Sequence, residues 1–270
     1  MCRVIPASTD GGIPAHTVLE LQPRRRDFAV CVFVINEGER VRAQLRSMSF
    51  LCETADIIVA DGGSSDGSLD EAFLRSAGVT ALLTKTEPGA LGTQMRMAFH
   101  HCMEQGYAGV ISIDGNGKDG VEAIPAFVAA LSNGMDHVQG SRYIPGGTHR
   151  NTPALRHFGV KLLHSPLISL ASGFRYTDTT NGFRGYSRRL LTDPRVAVFR
   201  SVFKGYELHY YLAIRAARLG LRVGELPVRR EYPRDGTVPT KIKGWRGPVK
   251  VLRCLFAACT GRFNPAPSAS

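Results

Sequence analysis

The stretch Val110–Gly120, V-I-S-I-D-G-N-G-K-D-G, constrains this chain more than any other. Val110 to Ile113 form a short, largely apolar run of the kind that fills a buried strand of a parallel sheet. The run stops at Asp114, and Gly115, Asn116 and Gly117 then force a turn. A carboxylate just past the carboxyl end of such a strand stands where α/β sheets take up ligands. Asp114 and Asn116 offer oxygen ligands two residues apart, which suits a hard cation such as Mg²⁺ or Mn²⁺. In isolation the same residues would make an ordinary polar turn, so the reading depends on whether other strands end the same way.

They do. Phe28–Ile35 is a second apolar strand and runs into Asn36-Glu37. Ile57–Ala60 is a third and runs into Asp61-Gly62-Gly63-Ser64-Ser65-Asp66-Gly67. Helical patterns follow each: Val41, Leu45 and Met48, then Leu69–Ala77, then Gly92–Gln105, with a further strand at Val79–Thr84. The β-α-β-α-β-α-β order predicts an α/β fold, a mostly parallel sheet flanked by helices on both faces. In such a sheet the loops at Asn36-Glu37, Asp61–Asp66 and Asp114–Asp119 share one edge. The glycines of the second loop permit close backbone approach, and its acids can accept from ribose hydroxyls or a base amine.

With 34 basic and 23 acidic residues among 270, the net charge of +11 favours anionic partners: a nucleotide diphosphate, an anionic membrane surface or nucleic acid. Nucleic acid is the weaker case, because the basic residues are spread and the acids sit where DNA would be repelled. Six cysteines show no C-x-x-C spacing, which points to a reducing, cytoplasmic setting, with the inner face of the membrane within reach. No run reaches the roughly 18–20 apolar residues of a membrane span. Residues 1–26 read as a flexible leader and Asn264–Ser270 as a frayed tail. The apolar segment Val249–Thr260, with Lys250 and Arg253, either packs on the domain or lies peripherally in a membrane interface.

Taken together, the ordered motifs resemble glycosyltransferase family 2, the inverting enzymes of GT-A fold, and the dolichol-phosphate mannose synthase type within it. Asn36-Glu37 matches the end of that family's first strand, Asp61–Gly67 its D-D-G-S-x-D-G loop, and Asp114-Gly115-Asn116-Gly117 its D-A-D-G metal motif. Gly140-Ser141-Arg142, Thr177–Arg184 and the segment Arg234–Lys241 match later elements, so the resemblance covers roughly residues 28–245. It implies a Rossmann-like nucleotide-binding half plus an acceptor half over 27–245, with 246–270 as a C-terminal amphipathic segment and tail. The departures are a glycine for the second Asp of the first acidic motif, Asn116 for the second metal-side Asp, and Lys118 nearby; the last two put strict metal dependence in question.

The resemblance implies transfer of a sugar from a UDP- or GDP-type donor to a polyprenyl phosphate or a soluble small molecule, with a divalent cation. Its donor set would be Asn36, Glu37, Asp61, Gly63, Ser65, Asp66, Gln94, Asp114, Lys118 and Arg142, with Asp114 and Asn116 on the metal. Asp178, Arg184 and Lys241 would carry catalysis: Asp178 as base or acceptor anchor, and the two cations on phosphate charge. Arg142, a guanidinium at a strand end, either grips phosphate or forms a salt bridge. The rival readings are a nucleic-acid-binding protein and a sugar-phosphate nucleotidylyltransferase; the glycine-rich signature expected near the N-terminus of the latter is absent.

Overall fold

A computed structural model describes residues 2–152, 154–232 and 246–266; Arg234 and Lys241 lie outside the described residues. The strands are β1 (Cys2–Ile5), β2 (His16–Glu20), β3 (Phe28–Val34), β4 (Asp56–Asp61), β5 (Val79–Lys85), β6 (Gly109–Asp114), β7 (His137–Ser141), β8 (Thr148–Arg150), β9 (Arg184–Ser187), β10 (Val223–Pro227) and β11 (Arg229–Glu231). The helices are α1 (Glu39–Ser47), α2 (Glu71–Ser76), α3 (Leu91–Glu104), α4 (Ile124–Ser132), α5 (Ala154–Gly159), α6 (Ser165–Ser172), α7 (Arg188–Thr192), α8 (Glu207–Arg218) and α9 (Arg246–Cys259). A π-helical segment, Val160–His164, joins α5 to α6.

The main sheet runs β1-β2-β5-β4-β3-β6-β9-β7-β10. Strands β5, β4, β3 and β6 are mutually parallel, as the alternation of strand and helix predicts. Along β3, Ala29, Cys31 and Phe33 enter one core while Val30, Val32 and Val34 enter the other. That period-two split is why the strand is apolar throughout: both of its faces are covered. Helices α3, α7 and α8 cover the first face, and α1, α2 and α4 the second. Helix α3 is buried almost all round because it lies between the sheet and α8. Helix α2 starts where Asp70 accepts from the Phe73 N–H at 2.9 Å, and α7 where Ser187 accepts from the Leu190 N–H at 3.1 Å.

Two elements depart from the sequence expectation. Residues 2–5 and 16–20 are strands, not a loose leader: β2 pairs antiparallel with β5 and carries β1 on its outer edge. The loop between them is held by Arg96, whose guanidinium donates to the Gly11 and Gly12 carbonyls. Strand β9 is inserted antiparallel between β6 and β7, so that end of the sheet is mixed. A third apolar cluster joins α6, α8 and α9 through Ile168, Tyr210, Ala213, Leu255 and Ala258, so α9 packs on the domain. No helix among the described residues is long and apolar enough to cross a membrane, and all six cysteines are free thiols.

Candidate active site

The sheet register places the acids. Val34 at the end of β3 pairs with Asp61 on one side, and Phe33 pairs with Asp114 on the other. The Cα positions of the two acids therefore flank β3 on one edge, two interstrand steps or about 10 Å apart by strand spacing. Ile35, 37% exposed, lies at the end of β3 between them.

On the Asp61 side, two loops lock together. The Asp61 carboxylate accepts from the Ser64 N–H at 3.0 Å and the Ser64 hydroxyl at 2.6 Å. Asn36 takes a left-handed backbone (φ 49°) that asparagine tolerates; its N–H donates to Ser64 Oγ, and its side-chain oxygen accepts from the Ser65 N–H at 2.8 Å. Asp66 accepts from the Gly38 N–H at 2.8 Å and from both donors of Ser68. Burial pushes the Asp66 carboxyl up, but these hydrogen bonds outweigh it and hold the group below the usual carboxylate range. Gly63 turns the loop at φ 96°. Gln94 sits beneath it, buried, its amide donating to the carbonyls of Val34 and Ala60 at 2.9 and 3.1 Å. A side chain at Gly62 would begin 3.0 Å from that amide. Gln94 thus ties the ends of β3 and β4 and occupies room that an aspartate at 62 would need. Glu37 is paired to Arg40 at 3.0 Å.

On the Asp114 side the constellation draws on four parts of the chain. Gln44 of α1 donates to the Asp114 carbonyl at 3.0 Å and accepts from the Gly117 N–H at 2.8 Å, fixing the turn. Arg230 of β11, 5% exposed, donates to Asp119 at 2.6 and 2.8 Å, to Asp114 at 3.2 Å and to Asn181 at 3.1 Å. Burial works against its charge, and Asp119 and Asp114 more than offset that, so Arg230 is held firmly protonated. Lys118 is buried beside it, 5.3 Å from the Tyr232 ring; burial first, then the Arg230 charge, pulls its ammonium below the usual lysine range. Gly182 keeps one side of the Asp114 carboxylate open, since a Cβ there would stand 3.2 Å from Asp114 Oδ1.

The donor set fits a divalent ion of the hard kind. Asp114 and Asn116 could supply two oxygen donors from one turn; here the Asn116 amide nitrogen faces Asp114 Oδ2 at 3.4 Å and its oxygen accepts from the Lys118 N–H at 3.3 Å, and no group of three or more His, Cys, Asp or Glu gathers among the described residues. A site with one carboxylate and one amide relies on substrate phosphates for its remaining ligands, as Mg²⁺ sites commonly do.

The Asp178–Arg184 region differs from the sequence expectation. Asp178 is fully buried and bidentately paired to Arg142, Nε at 2.6 Å and Nη2 at 2.9 Å, with the side chains 1% and 0% exposed. Burial would raise its carboxyl; the Arg142 hydrogen bonds and charge win and hold it below the usual range. Glu225 of β10 fixes the loop by accepting from the Thr177 and Asp178 N–H groups. Arg184 is 1% exposed and donates to the carbonyls of Asn181, His209 and Thr179 at 2.9, 2.5 and 2.7 Å. The expected phosphate contact at Arg184 is therefore corrected: with all three guanidinium nitrogens donating to carbonyls, it braces the 179–184 turn. Arg230, Asp119, Asn181 and Gln44 were not singled out from the sequence. The available signal was Arg229-Arg230 at the end of the last strand.

No family model matches the chain. Among curated proteins it is 30% identical to an undecaprenyl-phosphate mannosyltransferase of Micrococcus luteus over 195 residues, 72% of this chain and 79% of that protein. It is 28% identical to a polyprenol monophosphomannose synthase of Mycolicibacterium smegmatis over 77% of this chain and 78% of that one. A dolichyl-phosphate hexose transferase of Haloferax volcanii matches at 25% identity over 86% of this chain and 94% of its own length. Among solved structures, the fold is shared with glucosyl-3-phosphoglycerate synthase of Mycobacterium tuberculosis, solved with Mn²⁺, UDP and glucosyl-3-phosphoglycerate: TM-score 0.59, 18% identity, 89% of this chain and 81% of that one. The same enzyme, solved with Mg²⁺ and UDP, matches at TM-score 0.58. The acid-bearing edge and these relationships agree, and this chain is a glycosyltransferase that belongs to glycosyltransferase family 2.

Proposed function

We propose that this glycosyltransferase moves a hexosyl group, with mannosyl the leading case, from a UDP- or GDP-linked donor to the phosphate of a polyprenyl phosphate, inverting the anomeric carbon. The observation that carries the reading is the placement of Asp61 and Asp114 on either side of β3, one per loop, on one edge. The Asn36–Asp66 loops would hold the nucleoside, with the remaining lone pairs of Asp61 and Asp66 accepting from base or ribose. Asp114 and Asn116 would hold a divalent ion, which supplies charge neutralisation for the departing diphosphate. Lys118 and Arg230 stand beside Asp114 and would add to that neutralisation.

An acceptor phosphate is ionised near neutral pH and needs no base to remove a proton. Its oxygen forms the new bond to the anomeric carbon while the carbon–oxygen bond to the diphosphate breaks, and the nucleotide leaves with that electron pair. This suits a site in which Asp178 is committed to Arg142. The names of three relatives, all polyprenyl- or dolichyl-phosphate enzymes, favour that acceptor class over a soluble one. The test is incubation with radiolabelled nucleotide sugars and a polyprenyl phosphate dispersed in detergent. Label entering the organic phase, released by mild acid, is expected; label transferred only to water-soluble acceptors such as phosphoglycerate would overturn the acceptor assignment.

A further inference from the structure

The helix spanning α5, the π segment and α6 buries Ile168 against α8, yet its opposite side is unusually apolar. Phe158, Leu162 and Leu170 are 58%, 74% and 79% exposed, and Pro166 between them is exposed as well. These four residues recur every fourth position. In a regular α-helix a four-residue step overshoots a full turn by about 40°, so such a stripe would wind round the helix. The π segment Val160–His164 packs more residues into a turn and takes up that drift, which keeps the stripe on one side. Helix α9 touches α6 and exposes Val249 (39%) and Phe256 (50%) together with Lys250 and Arg253.

The charge carried by these two stretches of chain has one sign, with Glu207 of the neighbouring α8 the acid that acts on Cys254 of α9. All 23 acids of the chain lie outside 143–177 and 246–270. Those two stretches carry Arg150, Arg156, Lys161, Arg175, Arg246, Lys250, Arg253 and Arg262. The stripe also starts beside the acceptor side of the site: Lys161 Nζ lies 5.0 Å from the Tyr143 ring, the His157 ring lies 5.3 Å from it, and Tyr143 follows Arg142.

From this juxtaposition we propose that the Phe158–Leu162–Pro166–Leu170 stripe, with the exposed side of α9, is a docking surface for an anionic phospholipid bilayer. Apolar side chains enter the interface while Lys161, Lys250 and Arg253 meet lipid phosphates. Docked this way, the surface brings the Arg142 side of the site to the membrane, where a polyprenyl phosphate resides. That last step rests on the acceptor reading above; the docking itself does not.

Flotation with vesicles of phosphatidylcholine alone, and with added phosphatidylglycerol, tests the surface. The wild-type chain should float with the anionic vesicles, less so in added salt, and the double variant Leu162→Glu/Leu170→Glu should lose that binding by about tenfold or more. Nucleoside diphosphate binding and melting temperature should stay unchanged in the variant, since both side chains project into solvent. Absence of binding to anionic vesicles, or equal binding by the double variant, would overturn the proposal. So would a wild-type dimer in sedimentation that the double variant dissociates while vesicle binding persists, which would assign the stripe to a second copy. Lipid-linked product made from detergent-dispersed acceptor by a protein that ignores vesicles would sink the docking surface and leave the acceptor assignment standing.

Discussion

Replacing Asp178 by asparagine separates two roles that the sequence left open, base and anchor. In the structure both carboxylate oxygens meet Arg142, and neither side chain reaches solvent. Asp178→Asn keeps the shape, removes the charge and leaves a buried guanidinium without its counter-ion. Breaking one side of a buried pair costs about 3–5 kcal/mol. For a chain of this size each kcal/mol lowers the melting temperature by roughly 2–4 °C, so a fall of about 6–20 °C is expected. Replacing both partners, Arg142→Met with Asp178→Leu, should recover much of that loss, because no unpaired charge remains. Differential scanning calorimetry on the three proteins decides it. The carboxyl is held below its ordinary range, so its contribution is present at neutral pH and is lost only as pH falls through that low folded value. A melting temperature within a degree of wild type for Asp178→Asn, with activity abolished, would refute the anchoring argument and restore Asp178 as a base.

Other outcomes follow from the same geometry. His101 and His137 are buried and neutral, burial pulling their pKa values from 6.5 to about 4 and about 3, and His209 lies well below 6.5 for the same reason. The unfolded chain binds more protons than the folded one between those values and 6.5, so stability should be full above about pH 6.5 and fall as pH drops toward 4, by roughly 1–3 kcal/mol per histidine in urea titrations. Arg230→Ala strands the buried Asp119 carboxylate and should cost about 3–5 kcal/mol, read as a shift in the denaturation midpoint, and should weaken nucleoside diphosphate binding as well. Gly182→Ala should leave the fold intact but reduce metal-dependent nucleotide binding, because the added methyl crowds Asp114; unchanged binding would show that this side of the carboxylate is not used. Leu255→Ala, at a fully buried position joining α9 to the domain, should cost about 2–5 kcal/mol.

Much of the architecture could be read from local pattern. Strands β3, β4 and β6 are short apolar runs because two helical layers cover them, and each run stops at a polar residue on one edge. Parallel pairing then brings Asn36, Asp61 and Asp114 together without further information. Strands β1 and β2 escaped notice because they are four and five residues long, separated by a Pro- and Gly-containing loop, and β2, on which β1 pairs, finds its own partner β5 only some 65 residues on in sequence, beyond the reach of a local pattern. Strand β9 is four residues with no apolar alternation. The Arg230–Asp114–Asp119 link is invisible to any local rule, since its partners are 116 and 111 residues apart. Arg184 illustrates the converse limit: a basic residue in a recognisable motif faces inward because three carbonyls of its own turn and of α8 need donors.

Calorimetric titration of UDP and GDP, each with Mn²⁺ and with a chelator, into the wild type and into Asp114→Ala bears most directly on the paired-acid edge. Saturable binding of at least one diphosphate to the wild type is expected, strengthened by the ion, with the ion's effect gone in Asp114→Ala. Failure of both nucleotides to bind, or an undiminished response to Mn²⁺ in Asp114→Ala, would contradict it.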